Sequence, residues 1–340
     1  MSTIRTREIC HLLDEAEGTH RFATAPSRNM RRSLDRWVRN GAIASPAPSC
    51  YCRTAYLDEL SPRERAKHLI RTVAILHPTW TFCSFSAALV YGLQVPYSLL
   101  GMLHLASGAG QNRLRMHGYA MSHRIEEQRS GPSIRAADRS SVEDVRIIDG
   151  IRVTPLPRTL LDCMCQASFR HGLAIVDSAL HWQCIEKEQL AAYVRDHGAR
   201  RRNIRTARRV LECADGRSEN GGESIARAIM IELGFVVPEL QVEISDPMNP
   251  SVCSRVDYLW ILPDGGIIIG ELDGNDKYVR DRDGNRVSPD VTARRLIDER
   301  HRESRLNLTG AMVVRFTYRE ACDKAYFERL LCQAGVPRIA

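Results

Sequence analysis

At 340 residues, with 44% hydrophobic and 26% charged side chains, the chain has the composition of a folded protein of two or three units, each able to bury its own core. No apolar run approaches the roughly 18 residues a bilayer span requires, and the N-terminus lacks the charged-then-apolar layout of a secretory signal. A membrane or secreted protein is therefore not expected, and a cytoplasmic one is. The formal charge of +7 is a small excess of 48 basic over 41 acidic residues, so its distribution is the more informative quantity. Seven arginines and one acid, Asp35, lie between Arg21 and Arg53, and six arginines and no acid between Arg200 and Arg209. Local positive fields of this kind attract polyanions, of which nucleic acid is the commonest in a cell.

The first segment reads as short helices followed by a hairpin. Ile9, Leu12, Leu13 and Ala16 recur at helical spacing. Pro26 and Ser27 then open a second helix to Asn40, with Met30, Leu34, Trp37 and Val38 on one face, and Gly41 stops it. Ala42 to Tyr56 alternates as a β-wing would. The order helix, arginine-studded helix, wing is that of a winged helix-turn-helix, with Arg28, Arg31, Arg32, Arg36 and Arg39 on the outer, DNA-facing side of the second helix. The same arginines also suit a solvated basic helix of a structural domain.

The middle of the chain, residues 61–209, is mixed α/β. Arg63 to Leu76 and Phe85 to Gly92 read as helical, Leu99 to Ser107 and Gly118 to Arg124 as extended, and Thr159 to Leu180 as a buried helix pair. His104, His123, His171 and His181 have no carboxylate or cysteine at ligand spacing and read as structural. The eleven cysteines are scattered. The one-residue spacing of Cys50/Cys52 and Cys163/Cys165 fits no usual zinc motif, and reduced thiols are expected. The arginines of residues 200–209 suit either a solvated helix face or phosphate contacts, which confer affinity without sequence information.

Glycines 216–222 and Pro238 mark the start of a last domain, residues 217–340. A helix beginning after Gly221-Gly222 carries Glu223 in its first turn. A strand follows at Leu240 to Ile244. Strands Arg255 to Leu262 and Ile267 to Leu272 are joined by the turn Pro263-Asp264-Gly265-Gly266 into an antiparallel hairpin. Asp257 near the start of one arm and Glu271 near the end of the other are thereby brought side by side. Paired carboxylates suit Mg²⁺ (or Mn²⁺), a hard cation that keeps waters and accepts substrate phosphate, and a metal so held can activate water for attack on a phosphodiester.

The stretches "GESIARAIMIELGF", "PELQVEI", "RVDYLWILPDGGIIIGELDGNDKY", "ERHRESRL" and "GAMVVRFTY" resemble the very-short-patch-repair (Vsr)-like endonuclease-related domains of actinobacterial proteins, of PD-(D/E)XK type. "FSAALVYGL" and "VTPLPRTLLDCMCQASFRHGLAIVDSAL" are similar to chains in which such a domain follows an AbiEi-antitoxin-like N-terminal region, so the resemblance spans nearly the whole chain. It implies an α+β multidomain protein: a winged helix-turn-helix in residues 1–60, an AbiEi-like middle, and a restriction-endonuclease-like α/β domain. It also implies that Asp257 is the motif aspartate, Glu271 the motif glutamate and Glu223 the helix glutamate, with Gln241 at the polar strand position. The tail of the motif lands on Glu271, Asp273, Gly274, Lys277 and Tyr278.

One departure stands out. The pattern places lysine two residues beyond the glutamate, and this chain has Asp273. Asp273 can join Asp257 and Glu271 as a metal ligand, since side chains two apart on a strand share a face, and Lys277 can swing back to assist. Downstream, Asp298, Arg302 and Arg305 share a helical face, with Arg315 in the final strand, as phosphate clamps or salt bridges. "DRDGN" has the look of a calcium loop, but its twelfth position is Thr292, which rules that out.

The leading expectation is a DNA-associated, metal-dependent endonuclease acting on duplex DNA in phage defence, restriction or repair, with a toxin or defence partner. The alternatives are a non-catalytic transcriptional regulator or antitoxin-like protein with a lapsed nuclease fold, and an RNA-directed nuclease.

Overall fold

The computed structural model describes residues 3–106, 135–137, 144–273, 305–306 and 308–339. The protein is mixed α/β with several sheets, and it divides into two compact units that are not contiguous in sequence. The first comprises residues 1–167 and 185–208, the second 168–184 and 209–340.

The first unit opens with α1 (Thr3–Gly18) and α2 (Arg28–Arg39), then the hairpin β1 (Ile43–Ala47) and β2 (Cys50–Arg53). Ser27 starts α2 by accepting a hydrogen bond from the Met30 N–H, the ordinary N-cap interaction. Between the helices the chain touches the hairpin: Ala23 and Tyr51 exchange antiparallel backbone hydrogen bonds at 2.8 and 2.9 Å. Ile9, Leu13, Ala16, Ala23, Met30, Leu34, Ile43 and Tyr51 form one core, so the apolar positions of both helices face inward as their spacing requires.

Next come α3 (Thr54–Glu59) and α4 (Pro62–Leu76), the latter begun by a Ser61/Glu64 capping box with proline in its first turn. Thr72 of α4 ties itself to the link between α1 and α2, where its hydroxyl accepts from the Phe22 N–H at 2.8 Å. The sheet that follows has five strands: β3 (Thr81–Phe82), β4 (His104–Ala106), β5 (Arg135–Ala137), β6 (Arg146–Ile148) and β7 (Ile151–Val153), in the order β5-β4-β3-β7-β6. Helix α5 (Ser84–Val90) lies between β3 and β4 in the chain, and α6 (Leu156–Gln166) follows β7.

Helix α7 (Phe169–His181) belongs to the second unit, whereas α8 (Lys187–His197) returns to the first. In the first unit Asp162, 1% exposed, is ion-paired to Arg201, which gives one of the six clustered arginines a structural role. Helix α9 (Ile204–Cys213) leads into the second unit, where Arg209 lies 4.3 Å above the Phe169 ring.

The second unit contains α10 (Gly221–Glu232), then β8 (Glu239–Asp246), β9 (Asn249–Ile261), β10 (Ile267–Asp273) and β11 (Met312–Thr317), closed by α11 (Tyr318–Cys322) and α12 (Lys324–Gln333). The strand order is β11-β10-β9-β8; β8/β9 and β9/β10 are antiparallel and β10/β11 parallel. Helix α10 lays Ile225, Ala226, Ile229 and Met230 on the core face formed by Leu240, Tyr258, Trp260, Ile268, Leu272, Val314 and Phe316. A second core on the other face holds Val256, Leu259, Ile269, Leu306 and Ala311. Gly270 sits where a Cβ would come within 3.1 Å of the Trp260 ring and 3.2 Å of Tyr258, so any larger residue would push these aromatics back from β10.

The sequence-predicted hairpin Arg255 to Leu272 is present, but its first strand begins earlier, at Asn249. Asp246 turns the chain tightly by accepting from the Met248 and Asn249 N–H groups, which permits pairing almost from the turn onward. The expected strand Gly118 to Arg124, His123 and the charged stretch Tyr278 to Asp290 lie outside the described residues, as do Gly274, Lys277, Asp298 and Arg302.

Candidate functional site

Four residues lie on one transverse row of the second unit's sheet. Glu271 on β10 pairs with Arg315 on β11. Gly270 pairs with Tyr258, the last pair of that ladder, and continuing its register by one step would set Glu271 opposite Asp257 on β9. Gln241 on β8 falls opposite Asp257, between the pairs Leu240↔Tyr258 and Val242↔Val256.

The ladder is interrupted along this row. Gln241 adopts φ +53°, a left-handed conformation that costs a non-glycine residue of order 1 kcal/mol. On either side of it the strands change faces. Leu240 and Tyr258 belong to the α10-side core, whereas Val242 and Val256, two residues away, belong to the other. On an undisturbed strand a two-residue step keeps the same face. The freed backbone is used by side chains: the Leu272 N–H donates to Asp257 Oδ2 at 2.8 Å instead of entering a regular ladder.

Helix α10 brings Glu223 to the same point. Asn220 caps the helix by accepting from the Gly222 and Glu223 N–H groups at 2.9 and 3.0 Å. Gly222 lets the first turn approach β10, because a Cβ there would stand 3.2 Å from Leu272 Cδ2. Glu223 is 3% exposed and accepts from the Glu219 N–H at 2.8 Å and from the Asn220 amide. The Gln241 side-chain amide spans the two acids, donating to Glu223 Oε2 at 3.1 Å and to Asp257 Oδ1 at 3.3 Å. Beneath them the buried Tyr258 hydroxyl donates to the Glu223 carbonyl at 2.9 Å, and burial, with Glu223 and Asp257 nearby, pushes its pKa well up, so it remains a donor.

The structure thus joins Glu223 to Asp257 through Gln241, and Glu271, only 5% exposed, directly precedes Leu272, whose N–H bonds Asp257. Asp273 lies one alternation further along β10, where Arg315 holds it: Nε is 3.2 and 3.3 Å from the two carboxylate oxygens, and Nη2 contacts it as well. Arg305 is ion-paired to the buried Asp246 at 3.1 Å. Among the described residues no three His, Cys, Asp or Glu side chains converge closely enough to form a metal cage by themselves. The oxygen donors present suit a hard ion carried by one or two carboxylates with waters and substrate completing its shell, as Mg²⁺ prefers. In that case Asp257 and Glu271 would hold it.

One buried group lay unread in the sequence. Arg227, 2% exposed, pairs with Asp177 of α7 at 2.7 Å and donates to the Cys213 carbonyl at 2.6 Å. An arginine within the apolar run "SIARAIMI" is the signal, since a charge is buried only with a partner.

The second candidate surface is on α2. Arg28, Arg31, Arg32, Arg36 and Arg39 are all exposed, and among the described residues none forms an ion pair with a carboxylate. Asp35, the acid among them, is engaged by the Tyr51 hydroxyl at 2.6 Å. Burial and that hydrogen bond push the Tyr51 pKa up to about 12.

Two curated relatives match part of the chain, each an uncharacterized protein of Mycobacterium tuberculosis, one from strain CDC 1551 and one from strain H37Rv. Each is 35% identical over 114 residues, which is 33% of this chain and 41% of the relative, so less than half of either protein is covered. No protein-family profile matches the chain. No solved structure matches it. Among the described residues no helix is long and apolar enough to cross a membrane.

Proposed function

We propose that the chain is a DNA-associated protein whose second unit is a PD-(D/E)XK-type, Vsr-like endonuclease domain and whose N-terminal helices and hairpin are a winged-helix DNA-binding element. The observation that carries this reading is the link of Glu223 to Asp257 through the Gln241 amide, with Asp257 also accepting from the N–H of Leu272, the residue after Glu271. Asp257 and Glu271 would hold Mg²⁺ or Mn²⁺, which when bound would activate a water and neutralise charge on the phosphate. Glu223, held by Gln241 and the α10 cap, would position Asp257 from the helix side. The exposed α2 arginines contact the phosphate backbone, which supports affinity and not sequence choice. Phage defence, restriction and repair all use such an activity, with duplex DNA as substrate and a toxin or defence protein as partner.

The test is incubation of the full chain with duplex, single-stranded, mismatched and methylated DNA, and with RNA, in Mg²⁺ or Mn²⁺, beside Asp257→Ala and Glu271→Ala. Cleavage of duplex DNA lost in both variants is expected. Cleavage surviving in them would remove the site. A second reading, a non-catalytic regulator or antitoxin-like protein with a lapsed nuclease fold, is favoured by Asp273 at the position of the usual lysine. It predicts DNA binding without cleavage of any of these substrates.

A further inference from the structure

A phosphodiester site needs positive charge beside its carboxylates, and position 273, where the sequence pattern expects it, carries an acid. The sheet offers a cation from the neighbouring strand. Parallel pairing sets Arg315 directly across from Glu271 and Asp273 across from Thr317, so the arginine's reach to Asp273 runs diagonally along the same face. Its guanidinium therefore lies beside the position that a side chain at residue 273 would fill. Arg315 and Asp273 are 22% and 32% exposed in their side chains and belong to neither core, so the pair is reachable from solvent. Arginine has five donors in a planar fork and can keep a carboxylate while it contacts a phosphate, which a lysine does less well.

We propose that Arg315 supplies from β11 the cation that this site lacks on β10, contacting the phosphate of bound nucleic acid while Asp273 positions it. The assignment rests on the reading of the site as one for phosphodiester chemistry. It gives Asp273 a task other than metal ligation: it orients the guanidinium.

The test uses the full chain with the five α2 arginines changed to glutamine, so that their affinity does not mask the second unit. A short fluorescent duplex is titrated by anisotropy in Ca²⁺, and plasmid nicking is followed in Mn²⁺. Arg315→Gln is expected to weaken duplex binding about tenfold, the scale of one charge-assisted phosphate contact, and to slow nicking. Asp273→Asn keeps the cation and is expected to hold duplex affinity within about twofold while slowing nicking, because the fork is no longer oriented. A bridge that serves only the fold would leave duplex affinity unmoved in both. Unchanged affinity in Arg315→Gln overturns the proposal even where the plasmid is cut. Where nothing is cut but affinity still falls in Arg315→Gln alone, hydrolysis is refuted and the phosphate contact stands. Should Arg315→Gln not fold, the double variant Arg315→Met/Asp273→Met replaces the pair with apolar groups. The same tenfold loss is then expected, and unchanged affinity again overturns the proposal.

Discussion

Replacing Arg28, Arg31, Arg32, Arg36 and Arg39 together by glutamine tests the N-terminal surface most sharply. Glutamine is nearly as good a helix former as arginine, and the inward face of α2, with Met30 and Leu34 buried, is untouched. Far-ultraviolet circular dichroism should therefore be unchanged. If each of the five exposed arginines neutralises one phosphate, about five counterions are released, and log K falls against log salt with a slope of about −4.5 from this helix alone. Between about 50 and 200 mM salt that is a loss of about 500-fold in affinity. The substituted protein should show a slope shallower by about 4.5, and Arg36→Gln alone a slope shallower by about 0.9. The assay is fluorescence anisotropy with a random-sequence duplex across a salt series in Ca²⁺. A change of slope below about 1 in the fivefold variant would mean that these arginines are a solvated helix face, and the winged-helix reading would be abandoned.

Three further outcomes are expected. Arg227→Met strands Asp177 in the core of the second unit and should cost about 3–5 kcal/mol in urea unfolding, and a loss under about 1 kcal/mol would show the pair to be dispensable. Glu232 is pushed up by desolvation but held lower overall by Arg170 and Lys324, so its depressed pKa adds stability above the ordinary carboxylate value that is lost as pH falls through the folded value. Glu232→Gln should therefore destabilise by about 1 kcal/mol at neutral pH and by progressively less as the pH falls below the ordinary carboxylate value, a trend that melting curves across an acid series would reveal or deny. Gln241→Glu places a third carboxylate between Glu223 and Asp257; its melting temperature should drop in chelator and recover with Mg²⁺, and an equal drop in both would argue against a cation at this row.

Much of the second unit could be read in the chain because its signals are local. The turn Pro263 to Gly266 fixes the hairpin and its register as far as Gly270 and Tyr258, the residues next to Glu271 and Asp257. Gly221-Gly222 mark the start of α10 and with it the place of Glu223, whereas the Asn220 cap is seen only in the structure. The pairing of Asp273 with Arg315 was hidden because β10 and β11 are parallel and separated by a long stretch of chain, and no local pattern sets the register of such a pair. The left-handed backbone of Gln241 was equally hidden, since glutamine carries no preference for it. On α2 the helical period told which residues face inward, but not that Tyr51 would occupy Asp35 and leave the arginines as the helix's outward charge.

The excursion of α7 out of its neighbours in sequence bears on how the protein is made. Residues 168–184 leave the ribosome before residues 185–208, yet they belong with the unit that is finished last. Asp177 and the apolar face of α7 must therefore wait, uncovered, until Arg227 and the rest of α10 have been synthesised, while the first unit remains incomplete for want of α8. Neither unit can finish folding as a simple N-terminal or C-terminal piece. A fragment that starts at residue 209 would carry Arg227 without its counter-charge, so expression of the second unit by itself calls for residues 168–184 to be rejoined to it.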